Sequence, residues 1–241
     1  MRSKDALRAL TEITAYQWGM VTSAQASTLG VTRLDLSRLA ADGLLERVTH
    51  GVYKTTATPS HSLDPLRAAW LSTNPKQLGY ERRATDSDAV VFAGASAARI
   101  HEIGDLWDER FDFLSPVRRQ SQRGEIRYRK RPLDPRDVTT VDGLPALAVA
   151  ATIADLVEVV GDLSLVADAL RDAGPKDDFD AARLAELLDL AVLSRLTELA
   201  GLGKVAAHGW GHPLPHSGRR RECDQGRREE GSRGRSGARR Q

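Results

Sequence analysis

The sequence predicts an α+β protein, with a three-helix head ending in a short hairpin, a small mixed antiparallel-sheet and helix domain behind it, and a disordered C-terminal tail. Three observations predict this. Residues 19–55 carry two helix-capping signatures separated by a glycine, followed by two β-branched runs split by His50-Gly51. Residues 89–141 hold short alternating runs of strand character, and residues 146–200 hold long apolar runs of helical period. Beyond residue 201 the composition shifts to Gly, Arg, Ser and Pro with almost no apolar period, which is too little to bury a core.

Residues 4–17 place Leu7, Leu10 and Ile13 at three-residue steps, giving a first helix that packs beneath the next two. Thr22-Ser-Ala-Gln25 is a capping box, in which a hydroxyl and an amide satisfy the free N–H groups at a helix start. The short helix it opens carries Ala24, Ala26 and Leu29 and stops at Gly30, a residue that accepts the positive φ of a sharp turn. Thr32-Arg-Leu-Asp35 opens another helix, which buries Leu36, Leu39 and Ala40 and runs to about Asp42, where Asp42-Gly43 ends it. Two helices joined so closely must cross steeply. Residues 44–49 and 52–55 then form a tight hairpin around His50-Gly51. Together these parts make a winged helix-turn-helix, assigned to residues 1–58.

This arrangement leaves Thr32, Arg33, Leu34, Ser37 and Arg38 free on the last helix, and Arg47, His50 and Lys54 on the wing. Such a helix fits the major groove and a basic wing lies against phosphates, so the expected partner is double-stranded DNA. Arg33, on the first turn, is the candidate for reading guanine, because its planar fork matches O6 and N7 together. Two other uses of the same residues stay open: a helix–hairpin unit can dock protein instead, and Arg38 has Asp42 at i, i+4 as an ion-pair partner.

The second domain, residues 59–200, begins with a helix over 63–71 ended by Asn74-Pro75, followed by a loop over 80–88. Residues 89–92 make a strand and residues 94–101 a small-residue helix capped by Ser96. Strands over 111–114, 125–130 and 137–141 suggest a mostly antiparallel sheet, and three helices follow over 146–160, 163–173 and 180–200.

Net charge is only +2, so affinity for nucleic acid must come from local patches. Residues 118–136 hold eight basic residues against Glu125 and Asp134. Alternation puts Arg127 and Arg129 on a solvated side of the sheet; a second nucleic-acid surface, or docking against an acidic protein, is the alternative. The single cysteine, Cys223, cannot form an intramolecular disulfide, and the N-terminus lacks the apolar run of a signal peptide. The longest apolar run, 144–160, is broken by Asp155 and Glu158. A cytoplasmic protein with no membrane contact is expected. His208, His212, His216 and Cys223 resemble a metal set, but Gly209, Gly211, Pro213 and Pro215 forbid the helix that would align them, so no metal is expected. The sequence contains no GxSxG, HExxH or P-loop, and 94–98 lacks the second glycine of a nucleophile elbow. Neither cofactor nor catalysis is expected. The tail, residues 201–241, has the composition of high-GC coding sequence read in another frame.

Three segments in order, VTSAQASTLGVTRLDLSRLAADGLLERVTHGVY, VFAGASAARIHEIGDL ending at Leu106, and VTTVDGLPALAVAATIADL ending at Leu156, resemble the AbiEi-like antitoxins of type IV toxin-antitoxin systems across residues 5–200. The resemblance implies a DNA-binding antitoxin that represses its own operon at inverted repeats and opposes a nucleotidyltransferase-type toxin through its second domain, as a monomer or weak dimer. It also places Thr32, Arg33, Leu34, Ser37 and Arg38 on the exposed recognition helix and Arg47, His50 and Lys54 on the wing. Two positions depart from the pattern: His50 stands where arginine is expected, and Ser37 where a second basic residue is frequent. The runner-up is a metal-dependent nuclease targeted by the same winged helix. That chemistry needs carboxylates near a lysine; Glu125-Ile-Arg127 is the nearest approach and lacks the lysine.

Overall fold

The computed structural model describes residues 2–202, which fall in one compact unit. Helix α1 (Ser3–Thr14) buries Leu10 and Ile13 of its expected stripe together with Ala6, while Leu7 is only half-buried against the same core. A strand that periodicity does not reveal, β1 (Met20–Thr22), follows and is buried throughout. Helices α2 (Ser23–Thr28) and α3 (Arg33–Ala41) are joined through Gly30, whose φ of +74° lets Val31 N–H reach back 3.0 Å to the Ala26 carbonyl. Strands β2 (Leu45–Thr49) and β3 (Val52–Thr55) close the hairpin, and β1 adds on β3's other edge, giving the order β1-β3-β2.

The small sheet is apolar on both faces. Val21 and Tyr53 pack with Leu10, Leu36 and Leu39 of the helices. Met20 and Val52, of opposite strand parity, pack with Leu66, Trp70 and Leu71 of α4 (Asp64–Thr73) and with Phe92 and Phe113 beyond it. The core therefore runs without a break from the wing into the second half of the chain.

After a 3-10 turn at Gly79–Glu81 come β4 (Val91–Phe92), α5 (Gly94–His101), β5 (Phe111–Ser115) and β6 (Ile126–Lys130). A second 3-10 turn at Pro135–Asp137 leads into β7 (Val138–Val141), β8 (Leu144–Leu147) and helices α6 (Val149–Val160), α7 (Leu163–Ala173), α8 (Ala181–Leu187) and α9 (Leu190–Leu199). The strands form one sheet, ordered β6-β5-β4-β8-β7. Two pairings are parallel (β5–β6, β4–β8) and two antiparallel (β4–β5, β7–β8), so the sheet is evenly mixed where a mostly antiparallel one was expected.

Several expected elements are corrected. Residues 146–147, expected as the start of a helix, belong instead with Leu144 and Pro145 to strand β8. Asp142 and Gly143 both take positive φ, as a tight hairpin requires, and return the chain along β7. The helix expected over 180–200 is two helices, because Leu188 is extended and Asp189 precedes a fresh start. Ser96 does not cap α5; it is buried within the helix, and its hydroxyl accepts from Asp112 N–H at 3.0 Å. Among the described residues, no helix is long and apolar enough to cross a membrane.

Candidate nucleic-acid interface

Both capping boxes form. At α2 the Thr22 hydroxyl accepts from Gln25 N–H at 3.1 Å, and the Gln25 amide oxygen accepts from Thr22 N–H at 2.9 Å. At α3 the Thr32 hydroxyl accepts from Asp35 N–H at 3.2 Å and donates to the Asp35 carboxylate at 2.6 Å, while Thr32 N–H donates to the same oxygen at 3.0 Å. These bonds from Thr32 hold the Asp35 carboxyl down at about 2. Thr32 is exposed, but its hydroxyl is committed to the helix start.

Helix α3 buries Asp35, Leu36 and Leu39, and this fixes its outer face. Arg33, Leu34, Ser37 and Arg38 are all exposed, Leu34 at 59%. Among the described residues no ion pair joins Arg38 to Asp42, and none engages Arg33. At the wing, Arg47 and His50 are exposed, and an Arg47 Nη lies 3.0 Å from His50 Nδ1.

Lys54 is the correction. The wing was expected to present it to a partner, yet its side chain is 3% exposed. Strand parity explains this: Tyr53 faces the helices, so Lys54 points the opposite way, toward the start of α4. There Nζ donates to Asp64 at 2.5 Å and to the Pro59 carbonyl at 2.7 Å. Burial works against ionisation of Asp64, but the Lys54 ammonium, His61 N–H and Arg67 guanidinium outweigh it and hold its carboxyl below the usual range.

The exposed wing tip is held from behind. Arg123 donates to the Thr49 hydroxyl at 2.8 Å and to Glu125 at 2.9 Å. A buried amide network ties the helix-turn-helix to the segment after α4: Gln17 accepts from Gly79 N–H at 2.7 Å and donates to Gln25 at 2.9 Å, and Gln25 donates to the Gln77 carbonyl at 2.8 Å. Neither glutamine carries a signal in the one-dimensional pattern, except that Gln25 is the third member of the first capping box.

The basic stretch is resolved differently from either reading of it. Arg127 and Arg129 of β6, with Arg131 just beyond it, do alternate to one side, but there they are only half-exposed and reach carboxylates of β5 and α6. Arg127 pairs with Asp112, which is 1% exposed. Arg129 and Arg131 both pair with the fully buried Asp155, at 2.8 and 3.0 Å, and Arg131 also pairs with Glu158. Asp155 further accepts from Gly94 N–H at 2.9 Å. The expected water-facing arginines are therefore internal partners of buried carboxylates. The same geometry speaks against this cluster as a nuclease centre, because guanidinium groups occupy the carboxylate oxygens that would ligate a metal. Glu125 sits apart, with its carboxyl lowered chiefly by its own backbone N–H and by Arg123. Among the described residues no group of three or more His, Cys, Asp or Glu is placed to hold a metal. His208, His212, His216 and Cys223, and the tail expected to be disordered, lie outside the described residues.

An exposed helix beside a capped partner, flanked by a hairpin wing, has the architecture of a winged helix-turn-helix. Residues 8–54 match the family described as "Transcriptional regulator, AbiEi antitoxin", in agreement with the resemblance read from the sequence. The fold is similar to that of the RV2827C protein from Mycobacterium tuberculosis, known from a crystal structure, with a TM-score of 0.50 and 20% identity over 81% of this chain and 76% of that one. At that identity the likeness shows an α+β fold and nothing finer. None of the curated proteins matches this chain.

Proposed function

We propose that the protein is a DNA-binding antitoxin that represses its own type IV toxin-antitoxin operon: residues 1–58 read the operator and residues 59–200 oppose a nucleotidyltransferase-type toxin. The observation that carries this is the outer face of α3. Arg33, Leu34, Ser37 and Arg38 are exposed among the described residues, as are Arg47 and His50, on an element whose rear face is fixed by Leu36 and Leu39. The family match over residues 8–54 supports the regulator and antitoxin parts of the proposal. Arg33 is assigned to base-edge contact, and Arg38 and Arg47 to phosphates. Reading an inverted repeat requires two such helices one turn of DNA apart, supplied by a weak dimer or by two adjacent monomers.

Selection of bound duplexes from a random pool, followed by gel-shift titration, tests the DNA part; recovery of no enriched half-site would sink it. Repression is checked with a reporter driven by the sequence upstream of the gene, and antitoxin action by co-expression with the neighbouring nucleotidyltransferase-like gene. Growth arrest that persists despite co-expression would remove the antitoxin assignment while leaving the DNA reader intact.

A further inference from the structure

Between α2, the start of α3, the wing turn and the end of α4 lies an open groove of about 680 Å³. Its walls carry the hydroxyls of Ser23, Ser27, Thr28 and Ser72, and three basic side chains reach it: Arg33, His50 and Lys76. Among the described residues no acidic side chain lines it. Lys76 belongs to neither the winged helix nor the stretch that matches the regulator family, residues 8–54.

Lys76 is placed by construction. The residue before it, Pro75, gives its carbonyl to the Thr22 hydroxyl, and the residue after it, Gln77, gives its carbonyl to the Gln25 side chain at 2.8 Å. Both donors belong to the α2 capping box, so the lysine backbone is strapped directly against the helix-turn-helix. Its side chain is exposed, and among the described residues it has no ion-pair partner. Thr28 and Ser72 already donate to the Gln25 and Ala69 carbonyls, at 2.7 and 2.6 Å, which leaves the Ser23 and Ser27 hydroxyls as donors. Cations beside such hydroxyls suit a phosphodiester: the positive charges replace the counterions held by the backbone and the two hydroxyls bond its oxygens.

We infer that this groove seats a backbone phosphate of the bound duplex and that Lys76 is a phosphate contact supplied from outside the winged helix. The inference rests on the DNA-reading proposal above and extends it. It also restores a cation to the count, since Lys54 is withdrawn into an ion pair. With Arg38 and Arg47 as the only phosphate contacts, the log-log salt slope of binding is about −1.8; with Lys76 it is about −2.7, at roughly −0.9 per phosphate.

The test is a salt titration of full-length protein on a selected duplex, comparing the wild type with Lys76→Gln and, as a control, Lys130→Gln at the exposed end of β6. The expected result for Lys76→Gln is a slope shallower by about 0.9, so that its affinity loss is about three- to fourfold larger at 50 mM than at 200 mM salt. The control keeps the wild-type slope, and all three proteins keep one unfolding midpoint. Wild-type slope and affinity in Lys76→Gln would overturn the inference while leaving the DNA reader standing; failure of the wild type to bind any duplex would instead remove the proposal on which it rests. Inorganic phosphate, titrated against the wild type and Lys76→Gln by amide chemical shifts, separates the two sources of the anion. Tight phosphate binding that vanishes in Lys76→Gln, with duplex affinity untouched, would reassign the groove to a small anion and overturn the inference as well.

Discussion

Arg33 and Arg129 are the same kind of residue, each on a regular element, and the fold puts them to opposite uses. Arg33 leaves α3 on its open side and meets no carboxylate among the described residues. Arg129 leaves β6 toward α6 and meets Asp155, a carboxylate with no exposed surface. The difference lies in what stands across from each: a short, separately capped helix presents one face to solvent, whereas one side of β6 faces buried carboxylates carried by β5 and α6. Cation density along a chain therefore reports an interface only after buried acids have taken their share.

The largest expected effect tests the internal side of that contrast. Asp155→Ala strands Arg129, Arg131 and the Gly94 N–H around an emptied site, and breaking such a buried network costs about 3–5 kcal/mol. Urea unfolding measures it, and a loss under about 1 kcal/mol would show these pairs to be ordinary surface contacts. On the external side, Arg33→Ala should weaken operator binding by about 1–3 kcal/mol, roughly five- to 150-fold, with an unchanged unfolding midpoint. A drop in the midpoint instead would place Arg33 among the structural arginines.

Lys54→Met sharpens the boundary between the two groups. It keeps most of the aliphatic stem but removes the Asp64 ion pair; Arg67 and the His61 N–H still reach that carboxylate, so the stability loss is about 1–2 kcal/mol. The salt slope of DNA binding stays at the wild-type value; a shallower slope would return Lys54 to the wing surface. The smallest effect is pH-dependent. Asp35 titrates at about 2 when folded against 3.8 in a free chain, so its contribution is complete above 3.8 and lost as pH falls toward 2. Asp35→Asn should therefore be less stable than wild type at neutral pH, with the two thermal midpoints converging as the solution is acidified through that window. A gap that stays constant down to pH 2 would mean the ionised carboxyl contributes nothing to the α3 cap.

Local chemistry made the first half of the chain legible. Two capping boxes and Gly30 are rules within a few residues of chain, and the α3 stripe of Leu36 and Leu39 follows from them. Strand β1 was hidden because three buried residues carry no period, and their reason for being extended is β3, some thirty positions away. Strand β8 was hidden because an apolar strand buried on both faces has the composition of a helix; Asp142-Gly143 was the available signal, a dipeptide suited to a two-residue hairpin. Lys54 was misplaced by a parity error that only the presence of α4 could expose. Arg127 and Arg129 were given the right strand and the wrong neighbourhood, since nothing near them in sequence announces Asp112 or Asp155 as their partners. Lys76 was invisible to any motif, being placed by bonds to Thr22 and Gln25.

The two apolar faces of the β1-β3-β2 sheet limit how this reader can be handled. Severed after residue 58, it would keep the helices over Tyr53 but leave Met20 and Val52 bare, and the Thr49 hydroxyl would lose Arg123. Transplanting its specificity onto another regulator would therefore mean changing side chains on the outer face of α3 in place, because the head and the layer beneath it are inherited as a single piece.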